Sequence, residues 1–317
     1  MNELNVSVLL LVFNRPSTTE KVFDAIRRVR PPRLYIAADA PRDAHPGERE
    51  RSAKVREIAT AADWPCEVRI LFREKHLGCG VAVSGAIDWF FEQENEGIIL
   101  EDDCLPDPSF FRFSEELLER YREDQAVMMI SGGCPLRVRH AMSYSYFFSQ
   151  RADTWGWASW KRAWEHYDRK ISSWPELRNT EWLMRVGHRR KDFREFWTDK
   201  FDMVHTGKPD IWDYQWVFSI WLENGLTIVP AKNLVRNIGF GCDATHTKED
   251  GGWIGRLPIE TMAFPLKHPP TVKADRAADR WIDWNVYGTR SASPYRRILR
   301  KILGSRWAVR QERRFGS

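Results

Sequence analysis

The chain is poor in cysteine. It has five in 317 residues, and Cys66, Cys79, Cys104, Cys134 and Cys242 show no paired spacing. An odd, scattered set excludes a disulfide scaffold and suits a reducing compartment. Long apolar runs are missing too. The run at residues 6–13 is strand length, far below a membrane span. No basic segment leads into a long apolar stretch, so a cytoplasmic location is expected. No Gly-x-Gly-x-x-Gly follows the first apolar run, which weighs against a dinucleotide oxidoreductase. No Gly-x4-Gly-Lys-Ser/Thr occurs, which weighs against a P-loop NTPase. There is no internal repeat and no low-complexity tract.

What is present is an ordinary globular composition, 43% hydrophobic and 29% charged, with a formal net charge of +5. The length allows one large domain or two small ones. Basic residues alternate with acids until the last 28 residues, which argues against a nucleic-acid partner. Sixteen tryptophans are many, and they concentrate in the second half. Aromatic side chains fill cores and also make faces for sugars and bases.

The first hundred residues alternate strand and helix patterns. Apolar runs at 6–13, 34–38, 67–72 and 98–100 read as strands. Helical patterns at about 17–28, 48–62 and 81–93 separate them. Ser17 or Thr18 is the expected cap of the first helix, with Glu20 completing a capping box. Three strand–helix units and a fourth strand predict a doubly wound α/β sheet with right-handed crossovers. Ligands of such sheets bind outside the carboxyl ends of the strands. Arg15, Asp39, Arg73 and Asp103 each follow a strand and are expected to converge there. Further on, 110–121 and 182–201 read as helices, and 126–131, 143–148 and 226–229 as strands. Residues 210–222 read as a strong helix with Asp210 as cap.

The chain is organised around Ile98-Ile99-Leu100-Glu101-Asp102-Asp103. A buried strand opens into three consecutive carboxylates. Adjacent anions repel, so a cation is expected among them. A divalent ion held together with a phosphate is the simplest choice, and an acidic turn before Pro106 is the bland one. His76 precedes Gly78-Cys79-Gly80 at a helix start, where bare amides favour an anion, or it is a loop histidine. Trp155, Trp157 and Trp160 read first as core packing. Cys79 and Cys104 read as small buried hydrophobes.

Together these residues resemble a GT-A-fold glycosyltransferase. The points of likeness are Val12-Phe13-Asn14-Arg15-Pro16, Asp39, His76-Leu77-Gly78-Cys79-Gly80, Glu101-Asp102-Asp103, the Trp155–Trp160 stretch and Trp212-Asp213. The resemblance is to bacterial sugar transferases related to the N-acetylglucosaminyltransferase I group, and it covers residues 6–247. It implies an α/β fold, a GT-A-like (Rossmann-like) mixed sheet flanked by helices. Residues 1–131 would bind a nucleotide-sugar, 132–289 would form the acceptor-binding and catalytic half of the same domain, and 290–317 a basic tail. It implies Mn2+ or Mg2+, with Asp103 on the metal and Asp102 facing the ribose or bound water. Asp39 would recognise the base, and Arg15, Arg73 and His76 would lie near the nucleotide or its phosphates. His246, in a glycine-containing loop, would be a further metal or phosphate group.

The implied reaction transfers sugar from a nucleotide diphosphate, UDP by family likeness, to a glycan or lipid-linked saccharide with inversion. Asp213 is the candidate base, with Asp210, Glu223 and Asp243 as rivals. A nucleotidyltransferase would favour a glycine-rich basic loop after the first strand, where this chain has Asn-Arg-Pro. A non-catalytic carbohydrate- or nucleotide-binding protein is the other alternative. From Arg290 to Ser317 there are nine Lys or Arg and one acid, Glu312. Ile298, Leu299, Ile302, Leu303 and Trp307 recur at helical spacing. A basic amphipathic helix reads as a contact with an anionic membrane, or as a helix docked on the enzyme or a partner.

Overall fold

The computed structural model describes residues 4–136, 143–208, 210–240 and 253–289. Its first strands are β1 (Val8–Val12), β2 (Arg33–Ala38), β3 (Glu67–Phe72) and β4 (Glu96–Glu101). Between them lie α1 (Pro16–Val29), α2 (Glu48–Ala59) and α3 (Cys79–Phe91). These four strands are parallel in the order β3-β2-β1-β4. Alternation along β1 sorts the helices. Val8, Leu10 and Val12 pack with Val22, Phe23 and Ile26 of α1 and Val55 of α2. Leu9 and Leu11 pack with Ala86, Ile87 and Phe90 of α3 on the other face. A period of two therefore buries both faces of the strand.

The second half continues the same sheet. After β5 (Cys104–Pro106) and α4 (Pro108–Arg120) come β6 (Val127–Ser131), β7 (Tyr146–Ser149) and β8 (Trp157–Trp160). Helices α5 (Lys161–Trp164), α6 (Trp174–Leu177), α7 (Trp182–Val186), α8 (Lys191–His205) and α9 (Asp213–Leu222) follow. Then come β9 (Leu226–Pro230), β10 (Val235–Asn237) and α10 (Arg276–Asn285). The complete order is β3-β2-β1-β4-β8-β6-β9-β7, with β8 antiparallel to both β4 and β6. The sheet is thus mixed, flanked by helices and Rossmann-like in its first half. A separate antiparallel pair, β5 with β10, matches Cys104 to Asn237.

Several expectations are corrected. Helix α1 begins at Pro16, one residue earlier than the serine and threonine proposed as caps. Arg15 is its N-cap, and Thr18 and Thr19 donate their hydroxyls to the Arg15 carbonyl. Proline at the first helical position needs no N–H partner there. The single helix expected over 182–201 is two helices. His188 and Arg189 take left-handed backbone angles (φ 52° and 62°) and break it. The Trp155–Trp160 stretch contributes a strand, β8, whose four residues are all buried. Trp157 packs among Trp164, Trp212 and Trp216, with ring centroids 5.7–6.0 Å apart. Most of the tryptophan excess in this region is therefore core.

Helix α10 is held by buried charge. Arg151 is 2% exposed and donates through Nε and Nη2 to the two oxygens of Asp283 at 2.6 and 3.0 Å. Arg190 donates to the same carboxylate at 2.8 Å. Asp279 accepts the Gln150 amide and the Ser149 hydroxyl. These bonds fix the end of the described chain to β7 and to the α7–α8 turn. No helix among the described residues is long and apolar enough to cross a membrane. The basic tail lies outside the described residues.

Candidate active site

Parallel pairing brings the ends of β1, β2, β3 and β4 to one edge of the sheet. Arg15 arrives from β1 and the acidic triplet from β4. Arg15 donates through Nη1 to Asp103 Oδ2 at 2.7 Å and through Nη2 to Asp102 Oδ1. The Phe13 amide donates to the other oxygen of Asp102 at 3.2 Å. The cation expected between these acids is therefore, in this state, the Arg15 guanidinium. Burial alone would lower the pKa of Arg15, but Asp102 and Asp103 reverse this and raise it. Burial drives the Glu101 and Asp102 carboxyls upward, aided by the Asp103 charge and opposed by Arg15.

Asp39 ends β2 and binds the next loop rather than open space. Its Oδ1 accepts the Leu77 amide at 3.0 Å, and its Oδ2 accepts the Gly78 amide at 3.0 Å. His76 Nδ1 lies 2.9 Å from both Asp39 Oδ2 and the Ala40 carbonyl. Two acceptors at one nitrogen place the proton on Nδ1. The His76 and Phe13 rings face each other at 5.6 Å. Arg73 turns its guanidinium alongside Gly85 of α3, and Arg56 donates to the Asp39 and Arg73 carbonyls.

Glu48 was not visible in the sequence as a site residue. It lies in the first turn of α2, fully buried, and accepts the Asn14 side-chain amide at 2.7 Å and the Arg42 amide at 2.7 Å. It also takes the Arg42 guanidinium at 2.6 Å. It thereby ties the residue beside Arg15 to the loop after Asp39. Burial alone would raise its pKa; the Arg42 and Asn14 bonds outweigh that and lower it from 4.5 to about 2. A depressed acid contributes stability above its unfolded pKa and loses it as pH falls through the folded value. Discounting for the half-exposed Arg42, Glu48→Gln is expected to cost about 2 kcal/mol at pH 7. The difference from wild type should vanish between pH 4.5 and about 2. Urea melts of both proteins across that range check it, and a pH-independent difference would remove the charge from the explanation.

Asp213 is the first residue of α9. Burial is what chiefly pushes Glu101 and Cys79 up, and Asp213 adds a minor contribution to both. It also acts on Lys200 of α8 and on Tyr214. Asp210, expected to cap α9, caps a different helix. It accepts the amides of Cys79 and Gly80 at 2.7 and 2.8 Å, at the start of α3. That leaves its carboxylate committed to a helix end. Glu223 lies at the far end of α9, 3.4 Å from His166. His246 and Asp243 lie outside the described residues. Burial pushes the Cys79 and Cys104 thiols up; Cys104 is a core cysteine, while Cys79 is only partly buried, not the buried hydrophobe expected.

The β10 segment crosses in front of the triplet. The Ile238 amide donates to the Asp103 carbonyl at 2.7 Å. A Cβ on Gly239 would fall 2.2 Å from Asp103 Oδ2 and 2.5 Å from Arg15 Nη1. Only glycine leaves that side of the carboxylate unfilled. Among the described residues no three His, Cys, Asp or Glu side chains form a metal-binding group. The donor set is hard oxygen and suits Mg2+ or Mn2+ held by one or two carboxylates and completed by phosphates, not a cage made by protein alone.

No family model matches the chain, and no curated protein matches it. Solved structures do. HddC from Yersinia pseudotuberculosis aligns at 10% identity over 51% of this chain and 80% of that one, with a TM-score of 0.33. S. aureus TarS 1-349 aligns at 7% identity over 73% and 59%, with a TM-score of 0.40. The inositol-1-phosphate CTP transferase from T. maritima aligns at 10% identity over 73% and 86%, with a TM-score of 0.36. At 7–10% identity and TM-scores of 0.33–0.40 the likeness to these structures is distant and partial.

Proposed function

We propose that the chain is a glycosyltransferase that moves a sugar from a nucleotide diphosphate, UDP-linked, to a hydroxyl of a glycan or lipid-linked saccharide, with inversion. One observation carries this reading. Arg15, Asp102 and Asp103 meet at the same sheet edge as Asp39 and His76. Cationic, acidic and aromatic groups then lie together where an α/β sheet binds its ligand.

In this reading Phe13 and the His76–Gly78 segment face the base, and Asp39 holds that segment in place. Arg15 and Arg73 take the phosphates, and Asp102 takes the ribose. Asp103, with His246, would hold Mn2+ or Mg2+, which when bound neutralises charge on the departing diphosphate. Arg15 also opposes that charge, since its guanidinium already lies against Asp103. Asp213 receives the acceptor proton.

The test is release of nucleotide from a panel of UDP- and other nucleotide-sugars, with Mn2+ and with excess chelator. Release that requires the metal and rises with added glycoside acceptors is the expected result. Pyrophosphate made from a nucleoside triphosphate and a sugar phosphate would instead establish nucleotidyl transfer. Nucleotide binding without turnover of any donor would leave a binding protein.

A further inference from the structure

We propose that the loop between β7 and β8 is an acceptor sugar subsite, in which the face of Trp155, braced by Phe240, takes a pyranose ring and the Asp153 carboxylate takes its hydroxyls. The inference rests on the transferase reading above and names the part of the site that reading leaves open.

The three tryptophans of this stretch are not equivalent. Trp157 and Trp160 are each 1% exposed and belong wholly to the core. Trp155 is only partly buried. Its ring meets Phe240 edge to face, with centroids 5.7 Å apart and an interplanar angle of 66°. Phe240 follows Gly239, the residue that abuts Asp103 and Arg15. The aromatic pair therefore begins one residue along the chain from the glycine that abuts the acid proposed to hold the metal. A sugar ring presents an apolar C–H face to such a ring and polar hydroxyls at its rim.

Asp153 lies two residues before Trp155 and supplies the polar half. Its Oδ1 accepts the Trp155 amide at 3.3 Å, a long bond. Its carbonyl accepts the Ser131 hydroxyl at 3.0 Å, and Ser131 Oγ accepts the Gly133 amide at 3.1 Å. A Cβ on Gly133 would fall 2.1 Å from Asp153 Oδ2, so the glycine lets the carboxylate lie against the β6 turn. The backbone is pinned while the carboxylate is only weakly bonded. Burial pushes it up, to about 6, and the Trp155 amide offsets this only in part. An acceptor-only group in such a setting is stabilised by donors such as sugar hydroxyls. An apolar wall with a few placed polar groups is the general composition of a small-ligand site. A purely structural role would explain the Trp155 packing but not a weakly bonded carboxylate beside it.

Saturation-transfer NMR on the full chain, with UDP and diamagnetic Mg2+ present, tests this. The probes are the methyl β-glycosides of glucose, galactose, mannose and N-acetylglucosamine. At least one glycoside should receive saturation on its ring protons from the wild type. Trp155→Ala and Asp153→Asn should each reduce that signal at least about fivefold, the size expected for losing one stacking or charged hydrogen-bond contact. Trp155→Phe, which keeps an aromatic face and the fold, should retain most of it. UDP signals should be the same in all four proteins. Undiminished glycoside signals in the Ala and Asn variants would overturn the subsite, as would no glycoside signal with the wild type. Loss of UDP signals in the wild type would instead overturn the donor reading, since the two ligands are read separately in one sample.

Discussion

Asp103→Asn is expected to leave the fold intact and to lower sugar transfer at least about 100-fold. The amide has the shape of the carboxylate and still accepts from Arg15, so the β4 end should keep its geometry. Gly239 and Ile238 contact Asp103 through its Oδ2 and its backbone carbonyl, and both contacts survive the change. What is lost is one negative charge beside the proposed cation site. Metal stabilisation of a leaving group amounts to several kcal/mol, and each 1.36 kcal/mol is tenfold in rate. The checks are turnover, a melting curve, and Mn2+-induced broadening of UDP resonances as a readout independent of turnover. Transfer within tenfold of wild type, or wild-type activity indifferent to chelator, would sink the metal assignment. Neutralising the diphosphate would then fall to Arg15 and Arg73.

The first half of the fold was legible because its signals are local. Strand β3 matches residues 67–72, and α3 starts at Cys79, two residues before the expected 81. Each strand end delivers the polar residue that its apolar run pointed to. The second half was less legible for three physical reasons. Strand β8 is buried on both faces, so Trp157-Ala158-Ser159-Trp160 shows no alternation, and its partner Ile98 is 60 positions away. Helix α10 places Asp279 and Asp283 on its inner face, where Ser149, Arg151 and Arg190 receive them. A helix with buried acids reads as polar all round. Asp210 bonds to the start of α3, some 130 positions before it, although its spacing to α9 fitted a local cap. The ion pair of Arg15 with the triplet was half legible. A cation was expected there, but nothing local identifies which one.

Asp213→Asn is expected to leave UDP binding unchanged and to lower turnover at least about 100-fold, the lower end for loss of a general base. Three features single out Asp213 from the other acids near this edge. It opens α9, where the helix dipole favours an anion by about 0.3–1 kcal/mol. Two of its three rivals are placed elsewhere: Asp210 is bonded to the α3 amides, and Glu223 sits ten residues further along, at the opposite end of α9, while Asp243 lies outside the described residues. It contributes to the shifts of Glu101, Cys79, Tyr167 and Lys200, which come from four different elements or loops. A carboxylate that also favours helix α9 raises one complication, since Asp213→Asn removes the dipole interaction as well. That loss is at most about 1 kcal/mol of stability and should appear as a small shift of the melting curve. A hundredfold fall in turnover corresponds to about 2.7 kcal/mol in the barrier, which the stability change cannot supply in a protein that remains folded. Near-normal turnover with UDP binding intact would reject Asp213 as base. A product that keeps the anomeric configuration of the donor would reject the single displacement for which one base suffices.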